Sequence, residues 1–121
     1  MRTFKYVAQK RMEIAGSHQL KLPYTSKCEN LHGHNWIVTV YVGTDKLQND
    51  MVLDFTHIKR AIHDKLDHQN LNDVIDFNPT AENIAEWIAK EVDLMKEGIH
   101  CFKVTVQESE GNIVTYNNID L

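Results

Sequence analysis

Apolar and polar residues roughly alternate through residues 4–14, where Phe4, Tyr6, Met12 and Ile14 are interleaved with charged positions. A period of two predicts a half-buried strand, with a bulge near Ala8 where the alternation lapses. Pro23 and the polar run from Tyr24 to Glu29 follow as a loop. The segment Trp36-Ile-Val-Thr-Val-Tyr-Val42 is continuously β-branched or aromatic, which predicts a second strand covered on both faces and closed by residues 43–50. The period then changes. Phe55, Ile58, Ile62 and Leu66 recur at spacings of three and four, one stripe of a helix for which Asp54 is a good N-cap. Asn78-Pro79-Thr80-Ala81-Glu82 offers a cap, a proline at the first helical position and an acid in the first turn. It predicts a second helix with Ile84, Trp87, Ile88, Val92 and Met95 inward. After Gly98 the alternation returns in Phe102, Val104 and Val106, with Glu108 on their face and Cys101 on the other. The turn Glu110-Gly111-Asn112 leads into a last strand over 113–118.

The predicted order is β-β-α-α-β-β, an α+β layout without repeats. With 121 residues, 42% of them hydrophobic, the chain is expected to form one domain over 1–121. Its net charge of -4 and scattered basic residues argue against nucleic acid or an anionic membrane as partner. No run approaches the roughly 20 apolar residues that cross a bilayer. The N-terminal stretch lacks the apolar centre of a signal peptide, so a cytoplasmic protein with Cys28 and Cys101 as free thiols is expected.

His32 and His34 flank Gly33 where the second strand begins. In extended chain such a pair points to one side about 7 Å apart, so two imidazoles can share a metal. A catalytic zinc takes three protein ligands and keeps one position open. His18, at the end of the first strand, is the natural third donor if the two strands are antiparallel neighbours. Surface histidines are the plainer alternative, which the nearby Cys28 and the intervening glycine count against. A loop thiol beside a cation can have its pKa lowered into the working range. Two metal sites remain open on this reading: a catalytic one with Cys28 unligated, and a structural one closed by Cys28 as fourth ligand. Cys101 reads as a small hydrophobe. His57, His63 and His100 read as solvated side chains. Asp67-His68 alone reads as a helix end, Glu82 as a complement to a helix dipole, and Glu108 as a partner for a lysine.

Taken together, Ser17-His18, Cys28-Glu-Asn-Leu-His32-Gly-His34, Met51-Val-Leu-Asp54-Phe55, Leu66-Asp67-His68-Gln-Asn-Leu71-Asn72, Asn78-Pro-Thr-Ala-Glu-Asn83 and Glu108-Ser109 resemble the 6-pyruvoyl-tetrahydropterin synthase family along essentially the whole chain. The nearest resemblance is to its bacterial 6-carboxy-5,6,7,8-tetrahydropterin synthase branch, because the loop between His18 and Cys28 is short. The resemblance implies Zn2+ on His18, His32 and His34, Cys28 as catalytic thiol, and Asp67 and His68 as its proton-relay partners. It implies that Glu108 anchors a pterin, that Thr80 and Ala81 contact it through backbone groups, and that Lys27 touches a triphosphate. The implied substrate is 7,8-dihydroneopterin triphosphate. The implied fold is the tunnelling fold, a four-stranded antiparallel sheet with two helices on one face, closed into a barrel in a homo-oligomer, usually a hexamer of two trimers. The implied active sites lie between subunits.

Overall fold

The chain is described over residues 2–119 by a computed structural model. Its four long strands are β1 (Tyr6–His18), β2 (His32–Thr44), β4 (His100–Ser109) and β5 (Asn112–Asn117), with a two-residue strand β3 (Gln69–Asn70) between the second and third of them. The sheet runs β3-β1-β2-β4-β5. The four long strands are antiparallel in sequence order, as their alternation predicts, and β3 pairs parallel to the outer edge of β1. The expected four-stranded antiparallel sheet is therefore a mixed five-stranded one. Two residues carry no periodicity. β3 exists because the His68 amide donates to the Ala15 carbonyl at 2.7 Å and draws the next residues alongside β1.

Pairing of β1 with β2 is unbroken from Tyr6 opposite Thr44 to His18 opposite His32, so there is no bulge at Ala8. Tyr6 and Val7 are exposed at that end, and the lapse in alternation is surface composition rather than a change of register. The bulges lie on β4. Tyr41 faces Lys103 and Val42 faces Cys101, which leaves Phe102 unpaired and reverses the faces beyond it. Cys101 therefore joins Val104 and Val106 in the core, and Phe102 turns away to stack on Phe4 at 5.5 Å. Burial pushes the Cys101 thiol up to about 12 and leaves it inert. A second irregularity lets Gln107 face Ile113 and Ser109 face Asn112, with Glu108 between them.

Helices cover one face of the sheet. α1 (Phe55–Ile58), a π-helical segment Lys59–His63 and α2 (Asp64–Leu66) form one continuous stretch, capped by Asp54. Ile58, Ile62 and Leu66 are buried as expected, whereas Phe55, at the first helical residue, is exposed beneath the Lys10 ammonium. A short α3 (Leu71–Val74) leads to α4 (Ala81–Asp93). Ile84, Ile88 and Val92 of α4 enter one buried cluster with Met12, Ile14, Val38, Val40 and Val42, while Trp87 and Met95 stay half-buried. On the other face of β2, Ile37 and Tyr41 are only half-buried, so that strand is not fully covered on both sides within one chain.

The cap of α4 is Thr80, whose hydroxyl accepts from the Asn83 amide at 3.1 Å, and Pro79 precedes the helix. Asn78, the expected cap, is engaged elsewhere: its side chain accepts from the Lys21 amide and donates to the Lys21 carbonyl, both at 3.0 Å. Thr80→Ala is expected to lower unfolding free energy by about 1 kcal/mol, measured by urea titration. Asn78→Ala should leave the helix cap intact. No helix among the described residues is long and apolar enough to cross a membrane.

Candidate metal centre

The β1–β2 register sets His18 opposite His32, and the pleat places His34 on the same face two residues on. Ring centroids are 4.6 Å apart for His18 and His32, 5.1 Å for His18 and His34, and 4.8 Å for His32 and His34. The Trp36 ring meets His18 and His34 edge-on, at 4.8 and 5.3 Å, and its indole N–H is tied to the Gly16 carbonyl. From β4 the Glu108 carboxylate reaches the same point, with Oε1 2.9 Å from His34 Nε2 and 3.7 Å from His18 Nε2. One potential ligand atom from each of these four residues lies within 4.8 Å of every other.

The outer ring nitrogens decide the protonation of the inner ones. His18 Nδ1 lies 2.8 Å from the Pro79 carbonyl and His32 Nδ1 2.6 Å from the Asn30 carbonyl. A carbonyl only accepts, so each Nδ1 carries the proton and each neutral ring presents a bare Nε2. These two Nε2 atoms face each other at 3.0 Å. Two lone pairs so placed repel unless a cation sits between them. His34 Nε2 is buried and, although a carboxylate oxygen is near, it has no hydrogen bond of acceptable geometry. Burial holds the His18 pKa below its ordinary value, against the opposing pull of the Pro79 carbonyl and Glu108. Two bare Nε2 atoms converging with the unsatisfied Nε2 of His34 fit a divalent cation that favours nitrogen.

Cys28 is half-buried on a 3-10 turn, Lys27–Glu29, that Ser26 caps by accepting from the Cys28 amide at 3.2 Å. The Cys28 carbonyl accepts from the Leu20 amide at 3.0 Å, tying the turn to the chain just beyond β1. Its sulfur does not belong to the converging set, where the fourth side chain is Glu108. Lys27 is exposed on the same turn. Ala81 is buried at the start of α4, and Pro79, next to Thr80, supplies the carbonyl that orients His18.

Asp67 and His68 touch one another, Oδ2 to Nε2 at 3.4 Å, but sit at the outer edge of β1. The Asp67 carboxylate accepts from the Ala15 amide at 2.9 Å, and His68, at φ 59°, holds an 82% exposed side chain in the left-handed region. Among the described residues no hydrogen bond or ion pair joins this pair to the three clustered imidazoles. His68 borders an open cleft of about 480 Å³ that Ala15, Ser17, Gly33 and Asn35 line, and His34 borders it as well. The carbonyls of Pro79 and Asn30 and the wall made by Trp36 were beyond sequence reading. Only Trp36, a large aromatic two residues past His34, leaves any signal.

A family model described as 6-pyruvoyl tetrahydropterin synthase matches residues 8–118. The chain belongs to that family. It is 34% identical over 110 residues to the 6-carboxy-5,6,7,8-tetrahydropterin synthase of Synechocystis, covering 82% of this chain and 84% of the relative. It is 30% identical over 128 residues to the 6-pyruvoyl tetrahydrobiopterin synthase of Drosophila melanogaster, covering 88% and 76%. The solved structure of Caenorhabditis elegans 6-pyruvoyl tetrahydropterin synthase superposes with a TM-score of 0.72 at 25% identity, covering 97% of this chain and 99% of that one. The family is one of pterin enzymes, and the fold is that of its solved members.

Proposed function

We propose that this chain is a zinc-dependent 6-carboxy-5,6,7,8-tetrahydropterin synthase. It converts 7,8-dihydroneopterin triphosphate to 6-carboxytetrahydropterin, acetaldehyde and triphosphate, a step of queuosine biosynthesis in the cytoplasm. One observation carries the reading: three imidazoles converge with Glu108, two of them through bare Nε2 atoms, while the Cys28 thiol stays outside the set. A site closed by Cys28 would be structural, and one that leaves the sulfur free has a base to spare.

Zinc on His18, His32 and His34 would supply Lewis acidity to the hydroxyls of the substrate side chain. Cys28, as thiolate, takes the proton from the adjacent side-chain carbon. His68 passes protons during tautomerisation, and Asp67, 3.4 Å away, fixes its tautomer. Glu108 has two acceptor oxygens and a side chain 29% exposed, suited to the paired amino and ring N–H groups of a pterin. Backbone groups of Thr80 and Ala81 hold the pterin edge, and Lys27 neutralises phosphate charge. The exposure of His68 and its lack of a bond to the imidazole set fit a relay completed across a subunit boundary in a homo-oligomer, a hexamer of two trimers. In it the half-covered face of β2 would line a closed barrel.

The same groups also serve a synthase that expels triphosphate and keeps the carbon side chain, and the likeness to the Drosophila relative favours this second reading. Metal analysis and incubation with 7,8-dihydroneopterin triphosphate separate them. Bound zinc with release of acetaldehyde is the expected result. A pyruvoyl product without acetaldehyde would move the protein to the second reading, and bound zinc without turnover would make it a zinc-stabilised binding domain.

A further inference from the structure

The Asp67 carboxylate faces two imidazoles, and the chemistry above uses only one. His63 Nε2 lies 3.6 Å from Asp67 Oδ2, slightly beyond the 3.4 Å of His68 on the same oxygen, while Oδ1 is occupied by the Ala15 amide. His63 is the last residue of the π-helical segment, and the Asp67 amide donates to its carbonyl at 2.8 Å, which stacks the two side chains on one helical face. Single π turns are found disproportionately at functional sites.

The far side of the ring fixes where its protons are. His63 Nδ1 lies 3.0 Å from Asp64 Oδ1, and the same oxygen receives Lys59 Nζ at 2.8 Å. These two donors hold the Asp64 carboxyl below its ordinary range, so Asp64 accepts and His63 Nδ1 donates. A neutral ring would then aim a bare Nε2 at an anionic oxygen. At 3.6 Å the contact is longer than a hydrogen bond, and it is an attraction only for a ring protonated on both nitrogens. Among the described residues the charged groups in direct contact with this pair are Asp64 on its own helix, itself paired with Lys59, and His68 beyond it, and β1 contributes the Ala15 amide.

We propose that His63 is a positioning residue: held by Asp64 on its far side, its ring steadies the Asp67 carboxylate in the orientation that faces His68. The inference rests on reading Asp67 and His68 as the relay. His63→Gln should lower kcat about tenfold with KM within about twofold, and shift the acid limb of the pH–rate profile upward. His63→Lys, which restores a cation, should recover most of the rate and the original limb. A Gln variant with parental kcat and pH profile, or equal losses in the Gln and Lys variants, would overturn the role. Asp67→Asn tells this apart from a failure of the relay reading: full activity there removes the relay, whereas an inactive Asn variant beside an unaffected His63→Gln removes only His63.

Discussion

His34→Ala is expected to strip the metal and lower kcat by at least about 10³-fold while the apoprotein keeps its fold. His34 is the informative choice among the imidazoles. His18 is fully buried against Trp36, so its truncation would leave a cavity and confuse loss of metal with loss of packing. The His34 side chain is 19% exposed and its inner nitrogen makes no hydrogen bond within the protein, so the fold loses little with it. Thermal unfolding should separate the two contributions. The parent melts higher with zinc than without, whereas the Ala variant shows one melting temperature in both conditions, close to the apo parent. Acid acts on the same site from another direction. With the His18 pKa held below the ordinary 6.5 by burial, the folded chain binds fewer protons than the unfolded one in that window. Stability is full above 6.5 and falls as pH drops toward the depressed value. Metal leaves over the same range because the ligands must be neutral. A variant that still holds one zinc per chain after dialysis would show that His34 is not a ligand.

The long strands and both long helical stretches were legible because each buries one face, and burial imposes a period on the sequence. Met12 and Ile14 on β1, Val38 and Val40 on β2, and Ile58, Ile62 and Leu66 on the first helical stretch are all in the core where their spacing puts them. Errors came where a single backbone event resets the count. Phe102, unpaired in a bulge, reverses the faces of β4, and nothing in Cys-Phe-Lys-Val distinguishes that from plain alternation, since either Cys101 or Phe102 can be buried. β3 owes its existence to a backbone hydrogen bond at Ala15, a group every residue possesses. The cap of α4 falls two residues later than expected because Asn78 and Thr80 are both competent caps, and the tie between Asn78 and Lys21 decides between them.

At the site, the His-x-His pair and a third histidine on the adjoining strand were readable because consecutive strands joined by one loop pair antiparallel, and His18 does fall opposite His32. The carbonyls of Pro79 and Asn30 were not, although they settle which nitrogen each ring offers. Glu108 was conspicuous as a carboxylate in line with a core, and its expected task was pterin alone. Its place 2.9 Å from His34 means that any ligand it grips would lie beside the three imidazoles.

Cys28→Ala is expected to lower kcat by at least about 10³-fold, leave KM nearly unchanged and retain a full complement of zinc. The turn that carries Cys28 is held by main-chain bonds, its amide to Ser26 Oγ and its carbonyl to the Leu20 amide, together with the Glu29 carboxylate that accepts from the Ser26 amide. None of these needs the sulfur, so truncation removes a thiol and little else. Cys28→Ser sharpens the test, because a hydroxyl is a far weaker acid than a thiol and yields almost no anion near neutral pH. It should be nearly as inactive as the Ala variant while matching the parent in metal content and melting temperature. If zinc content falls in step with activity across both variants, the sulfur is a ligand, the coordination shell is closed and the domain is structural. If activity survives in both, proton abstraction belongs to another group, and His68 is the first to examine. Full zinc with lost turnover is the outcome that follows from a thiol standing outside the four converging side chains.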